Sequence, residues 1–82
     1  MTYGEVEATV KEVLAKQLTM DAGNINLESR LVEDLGIDSF GSVEVAFELE
    51  ERFNIKIPDA ALYEAKTVKN IVDYISSVVE GK

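Results

Sequence analysis

Apolar residues recur with helical spacing in three stretches of this chain, the first of which lies near the N-terminus. Thr2 followed by Glu5 is a capping-box pattern, which marks the start of a helix. Beyond it, apolar side chains return at steps of three and four residues as far as Leu18. The members of this stripe are Tyr3, Val6, Val10, Val13, Leu14 and Leu18. The pattern predicts a helix from about residue 3 to residue 18, with this stripe in the core.

The second stretch begins at Asp38 or Ser39, since either side chain can cap a helix. Its apolar period is carried by Phe40, Val43, Ala46, Phe47 and Phe53. We expect this stripe to face the core and the helix to end near Phe53 and Asn54.

The last stretch begins at Thr67, which is also a capping residue, and keeps helical spacing until Gly81. Its apolar residues are Val68, Ile71, Val72, Ile75, Val78 and Val79. Ahead of it, Pro58 presets the backbone for a short helical turn over residues 59–63. These two signals predict a short third helix followed by a long fourth one.

The segment from Gly23 to Asp38 breaks the helical spacing and holds isolated apolar residues between polar ones. It is predicted to be a long loop pinned to the core, which a helical turn near Ser29 to Leu35 would shorten. No hairpin signal, repeat or low-complexity segment occurs. The sequence therefore predicts an all-α domain spanning residues 1–82. It has three main helices, one short helix, and a long loop between the first and second.

Composition limits the chemistry that this chain can perform. Among its 82 residues there is no Cys and no His, so thiolate zinc sites, cysteine nucleophiles and the usual general base are all excluded. We expect neither an enzyme nor a metal site beyond loose divalent binding. No apolar run approaches the roughly 18 residues of a membrane span, and the N-terminal residues lack a secretory layout. We therefore expect a cytoplasmic protein with no membrane span.

Acidic residues dominate one part of the chain. The net charge is −8, and residues 28–51 contain eight of the sixteen acids and a single base, Arg30. Such a charge repels nucleic acids and anionic lipids, so neither is expected as a partner. Glu44, Glu48 and Glu51 share one stripe of the second helix, whereas Glu50 falls on its apolar side and is expected to reach solvent near the helix end.

The acidic stripe has two interpretations that charge alone does not separate. It is either a solvated helix face or a docking surface for basic patches on partner proteins. The like-charged pairs Glu44–Glu48 and Glu48–Glu51 each cost the helix about 0.2–0.5 kcal/mol, which favours some role outside the helix.

Ser39 is the candidate site for a covalent modification. A serine in the first turn of a helix is exposed, and the free N–H groups there favour an attached phosphodiester. The alternative, which the Asp38-Ser39 dipeptide alone favours, is a plain helix N-cap. Because no His is present to activate the hydroxyl, Ser39 is better interpreted as a substrate than as a nucleophile.

Several motifs in order carry a family resemblance. They are Leu31 to Ser39, Val43-Glu44, Leu49 to Pro58, Thr67-Val68 and Ile71 to Ile75. Together they closely resemble the acyl carrier proteins of fatty-acid and polyketide synthesis, and from residue 31 onward the match has no gap. The resemblance implies an acyl-carrier-like four-helix bundle in which a phosphopantetheinyl transferase attaches 4′-phosphopantetheine to Ser39, with Asp38 and Phe40 beside it.

The resemblance also implies partners and a cargo. The arm's thiol would carry acyl intermediates as thioesters to enzymes of fatty-acid, lipid or polyketide synthesis, and the carrier would be a monomer. Basic patches on acyl-loading and acyl-transfer enzymes would dock on Glu44, Glu48, Glu50 and Glu51. The acyl chain would lie between the second and third helices, against Ala46, Leu49, Leu62 and Ala65.

Two residues depart from the family pattern. Phe40 and Gly41 stand where a Leu, often followed by an acid, is usual, which suggests a specialised carrier. Residues 38–45 also look like the modification site of D-alanyl carrier proteins, so an aminoacyl carrier of the D-alanyl or peptidyl type is one alternative. The Leu35-Gly36-Ile37 lead-in and residues 72–75 favour the acyl branch. An unmodified acidic helical adaptor is the alternative from another class.

Overall fold

The computed structural model describes residues 2–80 as a bundle of four α-helices. These are α1 (Tyr3–Leu18), α2 (Ser39–Phe53), α3 (Asp59–Glu64) and α4 (Val68–Glu80), with a 3-10 turn at Ala22–Asn24. Within this range there is no strand, and a single isolated bridge joins Arg30 to Thr67. The predicted all-α fold and its helix order are confirmed. The predicted end of the last helix at Gly81 lies outside the described residues.

The helix boundaries follow from local caps. Thr2 Oγ1 accepts the N–H of Glu5, whose carboxylate accepts the N–H of Thr2, so the predicted capping box is present. α2 ends at Asn54, which adopts a left-handed backbone with φ 54°. Thr67 Oγ1 accepts the N–H of Asn70 in the first turn of α4, which confirms the predicted cap.

The core lies between α1, α2 and α4. Buried apolar side chains come from all three helices and from the connecting segments. They are Val6, Val10, Val13, Leu14, Ile25, Leu31, Ile37, Val45, Leu49, Phe53, Ile55, Val68, Ile71, Val72 and Ile75. The stripes predicted for α1 and α4 supply most of this core, although Tyr3 lies at its edge with 37% of its surface exposed.

The long loop is pinned to the core by Ile25, Leu31 and Ile37, as predicted, and backbone bonds also hold it to the start of α4. The N–H of Leu31 donates to the carbonyl of Lys66 at 2.9 Å, and the N–H of Val68 donates to the carbonyl of Ser29 at 3.0 Å. A turn at residues 31–35 shortens the loop, closed by a bond from the Leu35 N–H to the Arg30 carbonyl. These bonds fix the chain immediately before α2.

The predicted core face of α2 is wrong for three of its five residues, while Ala46 and Phe53 are buried as predicted. Phe40, Val43 and Phe47 are 73%, 41% and 62% exposed, and the buried residues of this helix are Val45, Ala46, Leu49 and Phe53. Apolar residues occur on two sides of α2, so the period alone could not tell which side α1 and α4 would cover. Because Phe40 and Phe47 were counted in the stripe, the predicted core face fell on the outward side of the helix.

Candidate functional site

Ser39 is the first residue of α2 and is exposed. The capping role belongs to its neighbour, because Asp38 Oδ1 accepts the N–H of Gly41 at 2.7 Å. No hydrogen bond from residues 2–80 engages the Ser39 hydroxyl. Asp38, and not Ser39, therefore provides the helix cap, and the Ser39 oxygen is left accessible.

The surrounding backbone holds this arrangement in place. Gly36 has φ +70°, a left-handed value that glycine adopts without strain, and next to it Ile37 is buried with 4% exposure. A Cβ at Gly41 would lie only 3.2 Å from Asp38 Oδ1. The glycine that departs from the family pattern therefore gives the capping carboxylate room to approach α2 closely.

The first turn of α2 suits a phosphodiester on Ser39. The N–H groups of Ser39 and Phe40 have no acceptor among the described residues, and α2 is 15 residues long. Unpaired N–H groups and the positive end of a helix dipole stabilise an adjacent anion. The residues present therefore fit the phosphate of a phosphopantetheine arm.

An open groove of about 710 Å³ begins at Ser39. α2 forms one wall with Ser39 and Ser42, and the opposite wall contains Tyr63 and Lys66. Arg30 also borders the groove, but its guanidinium pairs with Glu33 at 2.8 Å and Asp34 at 3.2 Å. The hydrogen bond to Asp34 raises the pKa of Arg30 and lowers that of Asp34. Lys66 is the groove's cation without an ion pair in residues 2–80.

A small cavity of about 30 Å³ lies behind this groove. All four residues predicted to line an acyl pocket border it, namely Ala46, Leu49, Leu62 and Ala65. The groove and the cavity have Val45, Leu62, Ala65 and Ile71 in common, so the two spaces adjoin each other. The cavity has room for little more than a water molecule, so the α2–α3 space must widen before an acyl chain enters.

The acids of α2 occupy different environments. Glu44 accepts from Gln17 Nε2 at 2.9 Å and stays exposed, and Glu51 is exposed with no partner among residues 2–80. Glu48 is half-buried between Lys16 at 3.8 Å and Arg52 at 3.3 Å. The Arg52 guanidinium also contacts Glu12 at 3.1 Å, and that hydrogen bond raises the pKa of Arg52. Glu48 therefore helps to join α2 to α1.

Glu50, which was expected to reach solvent, is only partly exposed. Its carboxylate is half-buried and accepts the N–H of Ile57 at 2.7 Å. The left-handed turn at Asn54 brings the chain back along α2, which puts this N–H within reach. Glu50 thus fastens the segment that leads into α3, and it lies apart from the exposed acids.

Sequence reasoning missed an apolar surface beside Ser39. The exposed residues Phe40, Val43 and Phe47 lie on the outward side of α2, next to Glu44 and Glu51 by helical geometry. A second apolar stripe, formed by Val45, Leu49 and Phe53, was the signal that could have revealed the true core face.

Comparisons with known proteins agree with this geometry. The family model described as "Phosphopantetheine attachment site" matches residues 8–75. An acyl carrier protein of Helicobacter hepaticus is 46% identical over 69 residues, covering 84% of this chain and 91% of that protein. An acyl carrier protein of Campylobacter jejuni subsp. doylei is 41% identical over 69 residues, with 84% and 90% covered.

A solved structure shows the same architecture. A chain from Mycobacterium tuberculosis, provisionally described as an acyl carrier protein, superposes with a TM-score of 0.84 at 27% identity. The match covers 89% of this chain and 97% of that one.

The chain belongs to the phosphopantetheine-attachment family, whose model matches most of its length, and it shares the fold of a solved structure related to that family. Within that family it is an acyl carrier protein, with a covalently attached 4′-phosphopantetheine. The attached group supplies the thiol that holds an acyl group as a thioester. Members of this family are carriers rather than catalysts, and they interact with synthesis enzymes and a phosphopantetheinyl transferase. No helix within residues 2–80 is long and apolar enough to cross a membrane.

Proposed function

We propose that Ser39 is the residue to which 4′-phosphopantetheine is attached, and that this chain catalyses no step itself. The accessible hydroxyl at the first residue of α2 carries the proposal, because the cap bond belongs to Asp38. Attachment joins the Ser39 oxygen to phosphorus and releases the nucleotide part of coenzyme A. With no His in the chain, the transferase must provide the base that takes the Ser39 proton.

Two serines on the same groove give a matched test of the attachment site. Ser39 and Ser42 both line the groove, but Ser39 is exposed at the helix start whereas Ser42 is half-buried. With a phosphopantetheinyl transferase and coenzyme A, we expect the wild type and Ser42→Ala to gain the mass of one arm and Ser39→Ala to gain none. Intact mass spectrometry measures this. A mass gain in Ser39→Ala would refute the assignment, and in vivo function retained by that variant would favour the unmodified adaptor.

Partner enzymes are proposed to dock on the outward side of α2. Exposed acids and exposed apolar side chains lie together there, a combination that suits a partner with a basic rim around an apolar contact. Glu44 and Glu51 offer unburied charge, while Glu48 offers less because Arg52 and Lys16 already contact it. Glu50 adds to the field of this face, but its carboxylate is engaged with Ile57.

Charge reversal tests the docking face. Glu51→Lys should lower kcat/KM for the transferase about three- to tenfold at low salt, and added salt should shrink the difference because it screens exposed charges. Glu80→Lys makes the same charge change at an exposed position on α4 and serves as the control. Equal effects of the two variants would mean that only net charge matters.

The space behind the groove is proposed to hold the acyl chain. The apolar walls at Ala46, Leu49, Leu62 and Ala65 support this, together with the side chains that the cavity shares with the Ser39 groove. α3 is the wall that would move, because none of its residues is buried and no side chain caps its start. We further propose a monomer that works in the cytoplasm, on the family resemblance alone.

A further inference from the structure

The inner cavity adjoins a second surface feature, which Ser39 does not line. A surface depression of about 310 Å³ lies between α3 and α4, bordered by Ala61, Glu64, Ala65, Asn70 and Tyr74. Four of these residues, all except Glu64, also line the inner cavity. The cavity therefore adjoins the Ser39 groove and also the depression at Asn70 and Tyr74, and we call these two neighbouring spaces its first and second mouths.

Small side chains on α3 create the second mouth. Ala61 and Ala65 are the residues of α3 and its C-cap that separate the cavity from the depression. A methyl group leaves a gap there that a larger residue would fill. A chain entering from Ser39 meets this gap after crossing the cavity.

Two hydrogen-bond donors stand at the second mouth without partners. Asn70 Oδ1 accepts the N–H groups of Lys66 at 2.9 Å and Thr67 at 3.1 Å, which fixes the amide so that only its nitrogen is free. Neither Asn70 Nδ2 nor the half-buried Tyr74 hydroxyl has a hydrogen-bond partner in residues 2–80. The other nine residues around the cavity have apolar side chains. Within the cavity lining itself, side-chain donors therefore come only from Asn70 and Tyr74.

We propose that Asn70 and Tyr74 recognise a neutral oxygen, a hydroxyl or a keto group, far along the cargo's acyl chain. This rests on the proposed attachment at Ser39 and on the proposed acyl site. The apolar cavity would hold the body of the chain while the second mouth receives the oxygen. Glu64 borders this mouth and disfavours a carboxylate at the same place. The oxygen is distal because Ser39 lines only the first mouth.

A pair of cargoes that differ by one hydroxyl tests the proposal. Octanoyl and ω-hydroxyoctanoyl groups are loaded onto the full chain from their coenzyme A derivatives, and hydrolysis of each thioester is timed. A hydrogen bond made only by the hydroxy cargo should slow its hydrolysis about three- to tenfold relative to octanoyl. The Asn70 side-chain amide should also shift in the NMR spectrum with the hydroxy cargo alone.

Variants at Asn70 and Tyr74 test whether their donors cause the difference in hydrolysis between the two cargoes. Asn70→Asp keeps the oxygen that caps α4 but loses the amide nitrogen, and Tyr74→Phe loses only the hydroxyl. Tyr74→Phe should shrink the difference between the cargoes. Asn70→Asp should do so for a keto cargo such as 7-oxooctanoyl, which can only accept a hydrogen bond, whereas a hydroxyl could still donate to the new carboxylate. Tyr3→Phe removes a hydroxyl that bonds to Asp73 and should keep the difference.

The possible failures are distinguishable. The recognition proposal is overturned if both cargoes are equally protected from hydrolysis in the wild type. It is also overturned if the difference between them survives in both donor variants. Either result leaves the proposed acyl site intact. If neither cargo is protected relative to Ala65→Leu, which fills the passage, the acyl site itself is wrong. Failure to load any cargo on Ser39 refutes the attachment site.

Discussion

α3 and α4 follow each other along the chain but are held by different means. The six residues of α3 include none that is buried, and Pro58 at its start makes no side-chain cap bond. The thirteen residues of α4 bury Val68, Ile71, Val72, Ile75 and Ser76. Thr67 and Asn70 also bond to the backbone at the start of α4.

The difference shows how a small carrier divides its tasks. Short helices depend on tertiary packing for stability, so α4 is secured by its buried face and α3 by little beyond its two ends. α1, α2 and α4 can hold Ser39 in a fixed place while α3 gives way above the cavity. A cargo site can then open without disturbing the core.

The largest predicted effect compares two leucines. Leu14→Ala removes a side chain with no exposed surface from α1, and it should lower the free energy of unfolding by about 3–5 kcal/mol. Leu62 lies on α3 and is half-buried, so Leu62→Ala should lower the free energy of unfolding by about 1 kcal/mol or less. Urea unfolding followed by circular dichroism measures both. Similar losses for the two variants would contradict the division between a fixed core and a movable wall.

The next effect concerns the bond that attaches α3 to α2. Glu50→Ala removes the acceptor of the Ile57 N–H, and a hydrogen bond to a charged group contributes about 1.5–3 kcal/mol. We expect a loss of stability in that range and faster hydrogen exchange at Ile57. Hydrogen exchange in α4 should rise only as far as the lower stability of the whole protein requires. Glu51→Ala, one residue further on, is the control and should leave Ile57 protected. Equal exchange in the two variants would show that Glu50 does not hold this segment.

Local signals made much of the fold predictable. Thr2 with Glu5 predicted the start of α1, and Thr67 predicted the cap of α4, because a cap depends only on residues within one turn. The serine at the start of α2 was found in the same way. Its role as attachment site was suggested by the family motifs around it, and remains a prediction.

Features set by distant contacts were not predictable. The buried side of α2 depends on what α1 and α4 cover, so Phe40 and Phe47 were wrongly assigned to the core. The role of Glu50 depends on the return of the chain at Asn54, which brings Ile57, seven residues further along the chain, back beside Glu50. The second mouth at Asn70 and Tyr74 arises only when α3 lies over α4, and neither residue stands out in the sequence.

The smallest predicted effect concerns a contact outside the core, where α1 meets α4. The Tyr3 hydroxyl donates to Asp73 Oδ1 at 2.6 Å, and Lys69 Nζ lies 2.6 Å from Asp73 Oδ2. The contacts with Lys69 and Tyr3 lower the pKa of Asp73 below its ordinary value of about 3.9. A depressed folded-state pKa stabilises the protein above the unfolded-state pKa, and this contribution disappears as pH falls through the folded value.

Asp73→Asn should therefore make the melting temperature fall less steeply than in the wild type as pH drops from 5 to 2. Tyr3→Phe removes one of the two contacts and should give an intermediate slope, since Lys69 still faces the carboxylate. Thermal unfolding across this range measures all three slopes. Because the contact joins α1 to α4, its loss should change the stability of the whole protein. Hydrogen exchange at Ile57 should then change only as much as this global stability does. Identical slopes in the wild type and Asp73→Asn would show that this exposed cluster contributes nothing to the three-helix core.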